Sequence, residues 1–412
     1  MWNDSLRSRL RRAVHDLLDD AKRSLRALVE CNSFTRNHDG VARNARTLTE
    51  LFEPLGFAAH SVASDEETHG DHLVLTRPGP GNTDLLLVSH LDTVYPPDLE
   101  RRAGFVWHEE DDLIRGPGVV DIKGGTITMH LVLSVLSREL PELFERVGWT
   151  VLLNAAEEEG SDSFRSLARA SVGDRTAACL VYEHGNDAPG GGTLVTTSRR
   201  GSGRFLVETR GRSAHAGSSH ARGANAIREL ARKIEAIEAM TDPDGRTTFN
   251  VGLVEGGTAS NSVPAHARCT VDLRADDPDS FAAAGARIEA LAGEGEIASR
   301  TDGFRCTVAV TKKPCFPPWP DNDGSRRLAA LAARAGSDVG IVVGAEHRLG
   351  ASDGCHVWDL VPTLDGLGPI GFHLHSAEHD PEQGKEQETL RWSSVAERTM
   401  LNLALLVRLA AR

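Results

Sequence analysis

The stretch DLLLVSHLDTV, residues 84–94, decides the fold. Leu85 to Val88 form an unbroken apolar run after Asp84, the pattern of a central strand buried on both faces of a parallel sheet. The run then gives way to His90 and Asp92. Ligand sites in open α/β sheets lie outside the carboxyl ends of the strands, so a histidine at this point is placed for chemistry. Asp92 lies on the same side of the extended chain and can hold the imidazole in one tautomer, as carboxylates do for metal-bound histidines. Taken alone, H-x-D also describes a histidine merely satisfied by its neighbour.

Outward from this strand, helix and strand alternate from about residue 14 to 190. A helix reaches to about 30, HLVLT (72–76) is a strand, a helical run spans about 125–139, and TVLLN (150–154) and CLVYE (179–183) are strands. The alternation predicts an α/β fold, a mostly parallel sheet with helices on both faces. Between about 197 and 311 the order changes to β-α-β-β-α-β: strands at 203–211, 247–257, 267–276 and 305–311, and helices at 224–240 and 279–294. This is the plan of an inserted α+β domain with a four-stranded sheet and two helices. After the Pro-rich PCFPPWPDNDG (314–324) the first domain resumes with a helix at about 325–336 and ends in one from about 393. The predicted division is 1–196 with 312–412 as one domain, and 197–311 as a second domain inserted into it.

With 412 residues there is ample apolar content for two cores. The formal net charge of −13 repels phosphates and argues against nucleic acid or an acidic membrane as partner. Six cysteines stand singly, with no C-x-x-C pair, which fits a reducing compartment and leaves oxygen and nitrogen as metal ligands. The N-terminal thirty residues mix arginines with Asp4, Asp16, Asp19 and Asp20 and read as an amphipathic helix, not a signal peptide. No window is expected to reach the roughly 18 apolar residues of a membrane span. The expected location is the cytoplasm.

Further chemistry-bearing residues fall at strand ends and glycine turns. Asp121 in RGPGVVDIKGGT (115–126) follows a Gly-Pro-Gly turn and precedes the Gly-Gly that opens a helix, where an aspartate is either aimed at one point or capping the helix. Glu157, Glu158 and Glu159 end the strand TVLLN, Glu183 ends CLVYE, and HLHSAEHDPEQ supplies His373, His375 and His379. His90, Asp121, one of the three glutamates, Glu183 and a late histidine thus converge on one edge, and unpaired carboxylates gathered there demand cations. Two histidines and three carboxylates, one bridging, suit two divalent metal ions with a position left open for water. Zinc accepts this set, and manganese or cobalt accept the same ligand types.

At this point the sequence resembles the M20 metallopeptidase family, most closely its glutamate carboxypeptidases of carboxypeptidase G type. The resemblance is carried by SHLDTV (89–94), GPGVVDIKGG (116–125), EEEGS (157–161), YE (182–183), SAHAG (213–217), NSVP (261–264), DLR (272–274) and HSAE (375–378). It implies that Asp121 bridges two zinc ions, that His90 and Glu183 complete one and Glu158 and His375 the other, and that Glu157 is the general base. Glu159 is then a solvated neighbour. The same resemblance assigns His215 to the active site of the other subunit of a homodimer, as a donor to the developing oxyanion. It gives Asn261 and Arg274 to substrate binding, Arg274 as a bidentate grip on a carboxylate, and brings the loop LGASDG, with Gly350 and Ser352, near the substrate carboxylate. Ala156 stands where carboxypeptidase G relatives have aspartate, and Ile122 where many members have a second one, differences that bear on substrate identity.

The expected activity is hydrolysis of an amide beside a free carboxylate on a small molecule, by a carboxypeptidase or an N-acyl-amino-acid deacylase. A water activated by the metals attacks the amide, and Glu157 takes its proton. Two alternatives use the same fold: another hydrolytic reaction, such as deamination of an aromatic amino acid, and a non-catalytic binding protein.

Overall fold

The computed structural model describes residues 2–410. Two compact units emerge, one comprising the chain up to Ser198 with Asp321–His347 and the chain from Ser352 onward, the other Arg199–Pro320 with Arg348–Ala351. The second unit therefore extends past residue 311. Ser202 and Phe316 exchange backbone hydrogen bonds of 2.9 Å, and Arg199 and Trp319 do the same at 2.7 and 2.9 Å, tying the Pro-rich segment to the stretch that begins the second unit.

The first unit holds a six-stranded sheet in the spatial order Ala58–Val62, His72–Arg77, Gly148–Asn154, Asp84–His90, Thr176–Val181, Thr363–Leu364. The last four pair in parallel, and the first two add antiparallel pairings at one edge. Side chains alternate across the pleat, so the apolar run of the central strand feeds two cores. Leu85 and Leu87 join Leu73, Val151 and Leu180 on one face, while Leu86 and Val88 join Val74, Leu152 and Val181 on the other. The first face is covered by helices Asp4–Val29, Gly124–Glu139, Asp323–Val339 and Ser393–Ala410, the second by Asp162–Ala170 through Phe164 and Ala168.

One expectation fails here. The run Val119–Glu139 does meet the length and hydropathy of a membrane span, yet 89% of its apolar window is buried inside the unit. It is apolar all round because the core surrounds it.

A small antiparallel sheet of the same unit, Gly371–Phe372, Thr389–Arg391, Leu113–Arg115 and His108–Glu110 in spatial order, has no counterpart in the sequence reading. Strands of two or three residues carry too little periodicity to be seen.

In the second unit the sheet has five strands, not four, ordered Thr247–Gly256, His266–Ala275, Gly201–Arg210, Arg305–Lys312, Gly293–Ala298 and antiparallel throughout. Helices Ala226–Glu238 and Pro278–Glu289 share its core. The extra strand, GEGEIA, overlaps the expected helix 279–294 only at Gly293 and Glu294 and otherwise falls where the sequence predicts no element. That helix stops at Glu289, and Gly295 lies where a Cβ would stand 2.8 Å from the Glu229 carboxylate.

Candidate metal centre

Two trios of potential ligands form in the first unit, His90 with Asp121 and Glu183, and Asp121 with Glu158 and His375, each with its donor atoms within 4.8 Å of one another. His90 closes the central strand and Glu183 lies just beyond the neighbouring strand Thr176–Val181. Asp121 divides its carboxylate between the trios: Oδ1 is 3.1 Å from His90 Nε2, and Oδ2 is 3.2 Å from His375 Nε2. Glu183 Oε1 lies 3.7 Å from His90 Nε2, and Glu158 Oε2 lies 3.3 Å from His375 Nε2. His90, Asp121 and Glu183 are buried, while the His375 side chain remains 55% exposed, which leaves the centre open on that side.

Local structure aims each group. Gly118 adopts φ +70°, a left-handed turn that suits glycine. The buried Lys123 braces this turn, its Nζ donating to the carbonyls of Pro117 (3.2 Å) and Cys31 (3.3 Å), and burial pushes its pKa down to about 8. The peptide bond Asp121–Ile122 is cis. Asp92 does more than was expected of it. His90 Nδ1 lies 3.0 Å from the Asp92 carbonyl and 3.4 Å from its carboxylate, but that carboxylate also accepts from the backbone N–H of Glu157 (3.1 Å) and Glu158 (3.3 Å) and from the Thr35 hydroxyl (2.7 Å). It therefore locks the acidic turn to the end of the histidine strand.

Within that turn, Gly160 N–H donates to the Glu157 carbonyl (3.0 Å) with φ +81°, and Ser161 then caps helix Asp162–Ala170 by accepting from Phe164 N–H. The three glutamates consequently diverge. Glu158 meets His375, and Glu159 is not a solvated neighbour: Arg36 binds it bidentately at 2.7 and 2.9 Å, with His69 at 3.4 Å. Glu157 enters neither arrangement. Burial, with the charges of Asp353, Glu158 and Glu183, raises its pKa well above the carboxylate range against the opposing His90.

The electrostatics suit cations. Burial pushes Glu158 up to about 7, aided by the charge of Asp121. Hydrogen bonds accepted by Asp121 and Glu158 push His375 up to about 11. His90 is raised as well, the carboxylates of Asp121 and Asp92 overcoming the burial that would lower it. Each imidazole is thus drawn to bind a proton by the carboxylates around it, and the same field favours divalent ions. Imidazole nitrogen and carboxylate oxygen are the donors that zinc, manganese and cobalt accept, so the residues fit divalent metal binding.

The remaining residues named from the sequence are placed as follows. His215 and Asn261 come together in the second unit: His215 bridges Ser262, and Ala216 N–H donates to the Asn261 carbonyl (2.9 Å). Both side chains' residues are exposed, and His215 Nδ1 accepts from the N–H of Gly217 and Ser218. Arg274 is already held, its guanidinium bound bidentately by Asp272 on the same strand at 2.8 and 3.0 Å, so a grip on substrate would first require breaking that pair. Gly350 is exposed and its carbonyl accepts from Arg199. Ser352 is fully buried and donates to Asp365 (2.7 Å), which removes its side chain from any substrate. Sequence reasoning missed Asp353, a buried carboxyl that accepts from Asn154 (2.9 Å) and is pushed up to about 7 by burial, and also Glu388, behind Asp121. Neither carries a local signal, since each matters only through partners remote in the chain.

Residues 197–298 match the M20 peptidase dimerisation domain. The chain is 28% identical over 359 residues to carboxypeptidase G2 of Pseudomonas sp. (strain RS-16), covering 86% of this chain and 82% of that protein. It is 27% identical over 370 residues to succinyl-diaminopimelate desuccinylase of Methylorubrum extorquens, covering 85% and 91%. Among solved structures, the YXEP protein of Bacillus subtilis, described as a dinuclear metal binding peptidase of the M20 family, shares the fold with a TM-score of 0.62 at 13% identity over 96% of this chain and 99% of that one.

Proposed function

We propose, from the premise that this chain belongs to the M20 metallopeptidase family, that it hydrolyses an amide bond beside a free carboxylate, as a carboxypeptidase or an N-acyl-amino-acid deacylase. One observation carries the reading: the two oxygens of Asp121 face two different histidines, each accompanied by a second carboxylate. His90, Asp121 and Glu183 would hold one divalent cation, and Asp121, Glu158 and His375 the other. The ligand types favour zinc, with manganese and cobalt as alternatives. Bound there, the cations supply Lewis-acid polarisation and a water that ionises near neutral pH.

The chain's own groups do the rest. Glu157 takes the proton of the attacking water and passes it to the departing amide nitrogen. Asp92 keeps Glu157 and His90 in register, its carboxylate accepting from the Glu157 backbone N–H and its carbonyl meeting the His90 imidazole. We assign His215 the role of donor to the developing oxyanion, offered to the second subunit of a homodimer, with Asn261 beside it for substrate. The matched dimerisation domain supports the pairing. The substrate is small and peptide-like, in keeping with the relatives named above. A cytoplasmic location is supported by the cysteine pattern, six residues scattered singly along the chain with no C-x-x-C pair.

The test is a panel of N-acyl-amino acids and dipeptides offered to metal-free protein reloaded with Zn²⁺, Mn²⁺ or Co²⁺. Activity should appear only on reloading, and Glu157→Gln should lose about 10²–10⁴-fold in kcat while binding the same number of ions. A Glu157→Gln enzyme as fast as the parent, or a protein that takes up no metal, refutes the assignment.

A further inference from the structure

Behind the open face of the centre, the short strand Thr389–Arg391 lies between the two segments that deliver its shared ligand and its exposed histidine. On one side it pairs with Leu113–Arg115, which leads into the turn bearing Asp121; on the other it pairs with Gly371–Phe372, which leads into His375. Glu388 stands at the head of this strand. Its backbone joins both neighbours, the N–H donating to the Ser376 carbonyl (2.9 Å) and the carbonyl accepting from Gly116 N–H (3.3 Å).

The side chain acts on the same point. Glu388 is 0% exposed, Oε1 accepts from the backbone N–H of Val120 (2.7 Å) and Asp121 (3.0 Å), and Oε2 accepts from the Tyr95 hydroxyl (2.6 Å). A buried carboxylate beside other carboxylates is costly unless its oxygens are well satisfied. Here three donors satisfy it, and two of them are the backbone of the bridging ligand and its predecessor. A single oxygen, Oε1, thus holds both N–H groups together.

We propose that Glu388, steadied by Tyr95, is the positioning residue that fixes Asp121 relative to His375 and thereby sets how tightly the centre retains its cations. This rests on the metal-centre reading above. The residue touches neither ion nor substrate, and acts through Asp121.

The measurement is Zn²⁺ titrated into metal-free protein in competition with a chromophoric chelator, with circular dichroism confirming that each metal-free variant is folded. Gln keeps the reach and one acceptor oxygen, and its amide can donate to Tyr95, whereas Asp is one methylene short. Glu388→Asp should weaken Zn²⁺ binding about 10–100-fold and Tyr95→Phe about 10-fold, while Glu388→Gln stays within about 3-fold of the parent. Should Glu388→Asp fail to fold, Tyr95→Phe decides the matter alone. Parent-like affinity in every folded variant overturns this inference and leaves the functional reading intact. A parent protein that takes up no Zn²⁺, Mn²⁺ or Co²⁺ overturns both.

Discussion

Glu157, Glu158 and Glu159 share one turn and meet three surroundings: a half-buried position in the field of His90, an imidazole, and an arginine with a histidine. Their order along the chain says nothing of this, because a turn sends consecutive side chains in different directions. His356 shows the same dependence on surroundings. It is fully enclosed, its Nε2 is 3.8 Å from Asp353 Oδ1, and burial, reinforced by Arg165 and Arg169, pushes its pKa down to about 3. A histidine whose folded pKa lies below its unfolded value near 6.5 binds fewer protons in the native state. Its contribution to stability is therefore complete above about pH 6.5 and is lost as pH falls towards the folded pKa. Urea midpoints of the parent should drop on acidification from pH 6.5 to 4, and His356→Gln should show a shallower slope across that window; equal slopes would contradict the assignment.

At the scale of elements, the central strand works because both faces are covered, and its carboxyl end inherits His90 from the point where the apolar run stops. The helix opened by Gly124 and Gly125 is set against the adjacent strand end just as closely. A Cβ on Gly125 would stand 1.9 Å from the Tyr182 carbonyl oxygen, one residue before Glu183. Gly125→Ala must therefore push the Glu183 segment aside. The expected result is about a 10-fold or greater loss of affinity for one of the two proposed metal ions, with overpacking costing about 1–3 kcal/mol. Metal titration and thermal melting of the metal-free variant separate these effects, and unchanged binding of both ions would show that the segment yields without moving its carboxylate.

For the whole molecule, the proposed homodimer draws on an edge. Strand Thr247–Gly256 borders the five-stranded sheet and exposes Leu253 (66%) and Val254 (58%) within the matched dimerisation domain. An edge strand with apolar side chains is a template for a second copy. Light scattering should report a dimer for the parent and a monomer for Leu253→Lys combined with Val254→Lys, since a pair of desolvated lysines opposes the contact; a monomeric parent would remove the role given to His215. Much of this molecule was open to one-dimensional reading. Apolar runs and helical spacing are local properties, so the central strand, the α/β alternation, the interrupting second unit and the donors at strand ends are all visible in the amino-acid order. The fifth strand Gly293–Ala298, the pairing of Arg274 with Asp272, the burial of Ser352 and the grip of Glu388 on a backbone 268 residues away were settled only by folding. The physical reason is range: hydrophobic patterning and turn chemistry act over a few residues, whereas hydrogen bonds to buried carboxylates are formed by whatever the tertiary packing brings within 3 Å.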